Sequence, residues 1–203
     1  MGLFSSLCSK NKEQIFWNWF INNSEKIYNF EKNQEKIFDE IANELDKLNL
    51  DLTFEIGPVE NNKRDFVISA GGIKSAFPAV EKLYDTRPNL NNWNIIKFRP
   101  RRMLDNSITY QNLTIKPEDI RYLFIKDDNP KKIGILLFIK GYKPSESSPY
   151  IQIGYLFLDQ IIGEYDVETH VGTIDFMDFD SNHFQQSKPI TQMANEFDRN
   201  INN

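Results

Sequence analysis

Near residue 50 the hydrophobic pattern of this chain changes its period. Ile37, Phe38, Ile41, Leu45 and Leu48 recur at helical spacing, with charge on the opposite face. Leu52, Phe54 and Ile56 then alternate with Thr53 and Glu55, which is the period of a strand. An amphipathic helix and a half-buried strand each need an apolar surface to cover, so the chain must layer helices on sheet. Gly57-Pro58 closes the alternating run and Asn61-Asn62 signals a turn. Phe66, Val67 and Ile68 supply the returning strand, so 52–69 reads as a hairpin.

The same signals organise the rest. Asn11 and Gln14 form a capping box. Ile15, Phe16, Trp19 and Phe20 are the expected inner face of a first helix, which leaves Trp17 outside it. Asn22-Asn23-Ser24 reads as a break or bend, and Ser24 can cap a segment carrying Ile27 and Phe30. Gly71-Gly72 stops the hairpin. Residues 76–84 suit a helix, with Pro78 in its first turn. Residues 93–98, 120–126 and 132–140 read as strands, the last two joined by a turn at 127–130. Short strands are expected around Ile108 and Leu113. A helix is expected over 153–162, with Leu156, Phe157 and Ile161 inward and Gly163 as its C-cap. A strand around 171–179 and a short helix over 193–197 complete the order. Helices come first, and hairpins dominate the remainder of the chain. The expected fold class is α+β: a single domain with a largely antiparallel sheet, packed by the N-terminal helices and two further helices. Its boundaries are 11–184, between a flexible N-terminus at 1–10 and a polar C-terminal tail at 185–203.

Composition narrows the function classes. The 203 residues carry a net charge of −5, which disfavours non-specific binding to nucleic acid. No apolar run is long enough for a transmembrane helix. Cys8 is the only cysteine, so no intramolecular disulfide forms and a reducing, cytoplasmic setting is expected. The start MGLFSSLCSK lacks a secretory signal. Gly2 and Ser6 match a myristoylation pattern, with Cys8 available for a second lipid. That makes a lipid-anchored, membrane-peripheral protein one alternative.

Three stretches hold groups capable of chemistry. In GEYDVETHVGTIDFMDFD, an extended 164–170 would place Glu164, Asp166, Glu168 and His170 on one face. Such a face is either solvated or able to hold an oxygen-preferring cation. It lacks the loop spacing of an EF-hand. In KFRPRR, Lys97, Arg99 and Arg101 alternate in the same way, with Arg102 next. They can bind an anionic ligand or pair with the acids at 164–168; the pairing neutralises both faces and is the favoured reading. In SAGGIKS the lysine is not next to the glycine as a phosphate loop requires, and the glycines suit a tight turn. No G-x-S-x-G is present, and His170 and His183 are the only histidines.

Several segments together resemble a group of conserved hypothetical bacterial proteins without an assigned activity. They are FWNWF, LTFEIGP, FVISAGG, AFPAVEKL, FRPRR and LDQIIGEYDVETHVGTIDF, and they span roughly residues 15–180. The resemblance implies a bacterial cytoplasmic protein and no catalytic residues. The leading expectation is a small protein-binding module, of adaptor or toxin-neutralising type, with Trp17 as partner anchor. The alternative is a metal- or phosphate-dependent enzyme using 164–170 with Arg99 and Arg101. The sequence points to no cofactor and no nucleic-acid partner, and leaves the oligomeric state open.

Overall fold

A computed structural model describes residues 11–104 and 106–201. Gly2, Ser6, Cys8 and the expected flexible segment at 1–10 lie outside the described residues. The fold class is α+β, with mostly antiparallel sheets. The chain packs as two compact units. One unit ends at Phe98 and the other starts at Arg99.

The first unit opens with α1 (Lys12–Tyr28), which runs unbroken through the expected bend at 22–24. Asn11 caps it, accepting a 2.8 Å hydrogen bond from the amide of Gln14. Helix α2 (Gln34–Asp46) buries Ile37, Ile41 and Leu45, as its spacing predicts. Strands β1 (Thr53–Glu60) and β2 (Lys63–Ser69) form the expected hairpin around Asn61 and Asn62, both at positive φ. Strand β1 continues past Gly57-Pro58 because a register shift there accommodates them on the sheet's edge. Gly71 and Gly72 take φ of 60° and 78°, the tight turn expected of them. Helix α3 (Phe77–Asp85) returns the chain to β3 (Trp93–Lys97), which pairs parallel to β2. The sheet order is β1-β2-β3.

This unit has an aromatic core. Phe20 lies 4.7 Å from Phe66 and 5.2 Å from Trp93, between ring centroids. Trp17 lies in it too, fully buried, so the expected exposed partner anchor is corrected. The inner stripe of α1 is Glu13, Phe16, Trp17, Phe20 and Ile27, and Ile15 is 51% exposed. Apolar residues surround this part of the helix almost completely, so periodicity could not fix its rotation. The indole N–H of Trp17 donates to the Leu83 carbonyl at 2.8 Å, which satisfies its polar atom inside the core.

In the second unit, β4 (Ile108–Tyr110) and β5 (Leu113–Ile115) form a small hairpin. Strands β6 (Ile120–Lys126) and β7 (Ile133–Ile139) form a longer one. Helix α4 (Ser147–Ile162) leads into α5 (Glu164–His170), then β8 (Val171–Met177), β9 (Lys188–Pro189) and α6 (Met193–Ile201). The larger sheet runs β8-β7-β6-β9, with β8 parallel to β7. In place of the single sheet expected from the element order, the described residues form three. The expected polar tail at 185–203 is corrected as well. Strand β9 pairs with β6, and Ile190, Met193 and Phe197 are fully buried in this unit's core. The apolar residues of α6 are few, but they fall on one face.

Gly154 shows how closely α4 approaches the sheet. A Cβ there would sit 2.4 Å from Phe176 and 2.9 Å from Leu137. Gly→Ala in a helix ordinarily stabilises. Gly154→Ala is expected to do the reverse, costing about 1–3 kcal/mol by overpacking, as read by urea unfolding.

Candidate functional site

Within the second unit, the stretches RPRR and GEYDVETH meet at the junction of α4 and α5. Gly163 makes the corner with φ 87°. The expectation that 164–170 is extended is corrected: it is helical. The turn at Gly163 lets Glu164 and Asp166 occupy a helix's first turn, where carboxylates are favoured. Val167 is the segment's buried apolar anchor. A single inward apolar residue does not make a strand face. Helical geometry splits the four candidate ligands by rotation, so Glu164 aligns with Glu168 and Asp166 with His170. His170 Nε2 lies 3.8 Å from Asp166 Oδ1. Among the described residues, no group of three or more His, Cys, Asp or Glu is placed to hold a metal ion.

The arginine segment closes the corner through its backbone and side chains. The Arg99 amide donates to Glu164 Oε2 at 2.9 Å, and the Glu164 amide donates to the Arg99 carbonyl at 3.0 Å. The Arg102 amide donates to the Gln160 carbonyl at 2.7 Å, and Arg101 Nε to the Ile162 carbonyl at 2.8 Å. These bonds satisfy groups that the end of α4 and the start of α5 leave open. The guanidinium of Arg99 pairs with Asp159 at 3.1 Å. That of Arg101 donates to Asp198 at 2.7 and 2.9 Å and to Asp166 at 2.9 Å.

The favoured pairing of arginines with the 164–170 acids is thus present for Arg101 and Asp166, and for Arg99 and Glu164 through the backbone. Asp159 and Asp198 escape the sequence reading. Asp159 sits in the apolar run of α4, and a charged residue inside such a run is the signal that could have found it. Lys97, Arg99 and Arg101 do not form one alternating stripe. Phe98 takes φ 61° and buries its ring 4.4 Å from that of Phe77, which breaks the alternation. Lys97 lies in the first unit, its ammonium 5.5 Å from the Tyr84 ring centroid.

Asp159 and Glu164 are 5% and 0% exposed. Burial pushes the Asp159 carboxyl up to about 7; the charge and hydrogen bond of Arg99 pull it down, while Glu164 and Glu168 push it up. The folded chain therefore holds this proton up to about pH 7, whereas an unfolded chain releases it near 3.8. The folded state binds more protons in between, so this group's contribution to stability falls as pH rises from about 5 to about 7, by at most ~1.4 kcal/mol per unit. The lowered carboxylates Glu13, Glu31, Asp127 and Glu196 titrate below that window. Asp159→Asn is expected to flatten the profile, measured as unfolding free energy against pH.

The first unit carries a different kind of site. Strand β3 is the edge of its sheet. The Asn92 carbonyl accepts from Arg64 and the Phe98 amide donates to Ile68, so the even-numbered residues face β2. Trp93, Ile95 and Lys97 turn their backbone groups to the outer side. Beside them lies a pocket of about 300 Å³, lined by Arg87, Pro88, Asn89, Leu90, Trp93 and Ile95.

Comparison with protein-family models, with curated proteins and with solved structures gave no match for this chain. Among the described residues, no helix is long and apolar enough to cross a membrane.

Proposed function

We propose that this chain is a bacterial cytoplasmic protein-binding module, of adaptor or toxin-neutralising type. The observation that supports it is the outer edge of β3, against which no further strand pairs among the described residues, beside its pocket. An open strand edge is a template for another polypeptide, whose main chain supplies the hydrogen bonds while the pocket selects a side chain. A photo-crosslinking residue at Asn94 tests this in bacterial cells, with Tyr165 on α5 as the control position. The expected result is one defined adduct at 94, re-formed from the two purified proteins. Adducts absent at 94, or equal at both positions, overturn the reading.

A second reading, an enzyme using Arg99 and Arg101 with 164–170, draws on the raised Asp159. Strongly shifted groups cluster at functional sites. Against it, Asp159 and Glu164 are enclosed, and both arginines are already bound to carboxylates or carbonyls. Unfolding midpoints with Mg²⁺, Mn²⁺, Ca²⁺, Zn²⁺, phosphate or nucleotides decide it. A bound ligand at a hundred times its Kd adds about 2.7 kcal/mol, and this gain should vanish in Glu168→Gln.

A further inference from the structure

We infer that the β3 edge takes an extended, acidic segment of a partner protein, added as a strand. This deepens the proposed binding function and depends on it.

Charge selects the occupant. The chain is acidic, with a net charge of −5, yet this corner is basic. Arg87 lines the pocket and stacks on Tyr84, its guanidinium carbon 3.7 Å from the ring centroid. Arg87 also donates to the Tyr84 carbonyl at 3.0 Å, which fixes the fork in place and leaves its other N–H groups for a ligand. Lys97 lies against the same ring. Among the described residues neither cation has an ion pair, and Asp85, two positions from Arg87, makes none with either. Most exposed cations in a soluble protein have no partner. Here two sit against one aromatic ring, at the end of an open strand edge.

Strand register places the contacts. Side chains of Trp93, Ile95 and Lys97 share one face of β3. A strand laid beside β3 therefore projects every second side chain over that same face. An apolar side chain would enter the pocket against Trp93, Leu90 and Ile95, and an acidic one, two residues away, would meet Arg87 or Lys97. The edge amide and carbonyl groups of Ile95 and Lys97 would carry the main-chain bonds.

Fluorescein-labelled ten-residue peptides of alternating Val or Thr with Asp test this by anisotropy on the full chain. Matched peptides replace Asp by Lys, or place Pro at the centre so that strand addition is blocked. The acidic peptide is expected to bind, and to lose about tenfold in affinity in the double variant Arg87→Glu, Lys97→Glu and at high salt. The lysine and proline peptides are expected not to bind. An unchanged melting temperature shows that the variant is folded. Equal binding of acidic and basic peptides overturns the inference, as does an unaffected double variant. So does sedimentation showing that the chain pairs with its own copy through β3. If the crosslink at Asn94 forms with a partner but no acidic peptide binds, the acidic occupant fails and the binding function stands.

Discussion

Trp17→Ala is expected to destabilise the first unit by about 3–5 kcal/mol, the usual cost of emptying an aromatic site in a packed core. For a chain of this length that is a fall of about 10 °C in melting temperature, or more. Trp17 is fully buried, with Phe16 and Phe20 rings at 5.1 and 5.5 Å and the Leu83 carbonyl on its indole N–H. Truncation leaves a cavity and takes from the Leu83 carbonyl one of its two donors, the other being Thr86 Oγ1 at 3.1 Å. Trp17→Phe keeps most of the ring and should cost less, about 1–3 kcal/mol, for the lost indole bond and the smaller ring together. Calorimetry of the three proteins separates the two contributions. A loss below about 1 kcal/mol for the alanine variant would mean that the helix face is not packed, and would return Trp17 to the surface.

Arg99→Met is expected to cost most above about pH 7, where Asp159 is ionised and removing one member of a buried pair strands the other, about 3–5 kcal/mol there. Asp159 would keep its burial and lose its cation, while Glu164 and Glu168 continue to repel it. Its carboxyl should then hold a proton to still higher pH, so the variant's loss should shrink as pH falls through about 7, where both proteins come to hold that proton. The double variant Arg99→Met, Asp159→Asn should recover part of the loss, since it removes the stranded charge. Urea unfolding across the four combinations gives the coupling. Strict additivity would show that Arg99 and Asp159 do not act as a pair, and would leave the α4–α5 corner fastened by the main-chain bonds of 99–102 and the Arg101 side chain.

The candidate residues were legible unevenly. The KFRPRR and GEYDVETH stretches stand out by charge, and the meeting of their arginines with their acids arises from the need to neutralise both. The strand reading of 164–170 fails because alternation over seven residues is weak beside a glycine that can start a new helix. The β3 edge is not marked as one by the sequence, although Lys97 belongs to the KFRPRR stretch. It exists because β3 pairs with β2 on one side only, and because α3 delivers Arg87 to the strand's flank.

The chain alone determined its class and most of its elements. The change of period near residue 50, the paired turn residues Asn61 and Asn62, and the two glycines after Ser69 act within a few residues of themselves, so local sequence carries them. Which way α1 rotates, where Asp159 points, whether 185–203 packs, and which strand is left with an open edge were decided only in three dimensions. Each depends on groups distant in sequence: Trp17 on Leu83, Asp159 on Arg99, Phe197 on the core beneath β7. A hydrophobic pattern says that a surface must be covered. It does not say by what, and that choice is made by the tertiary structure.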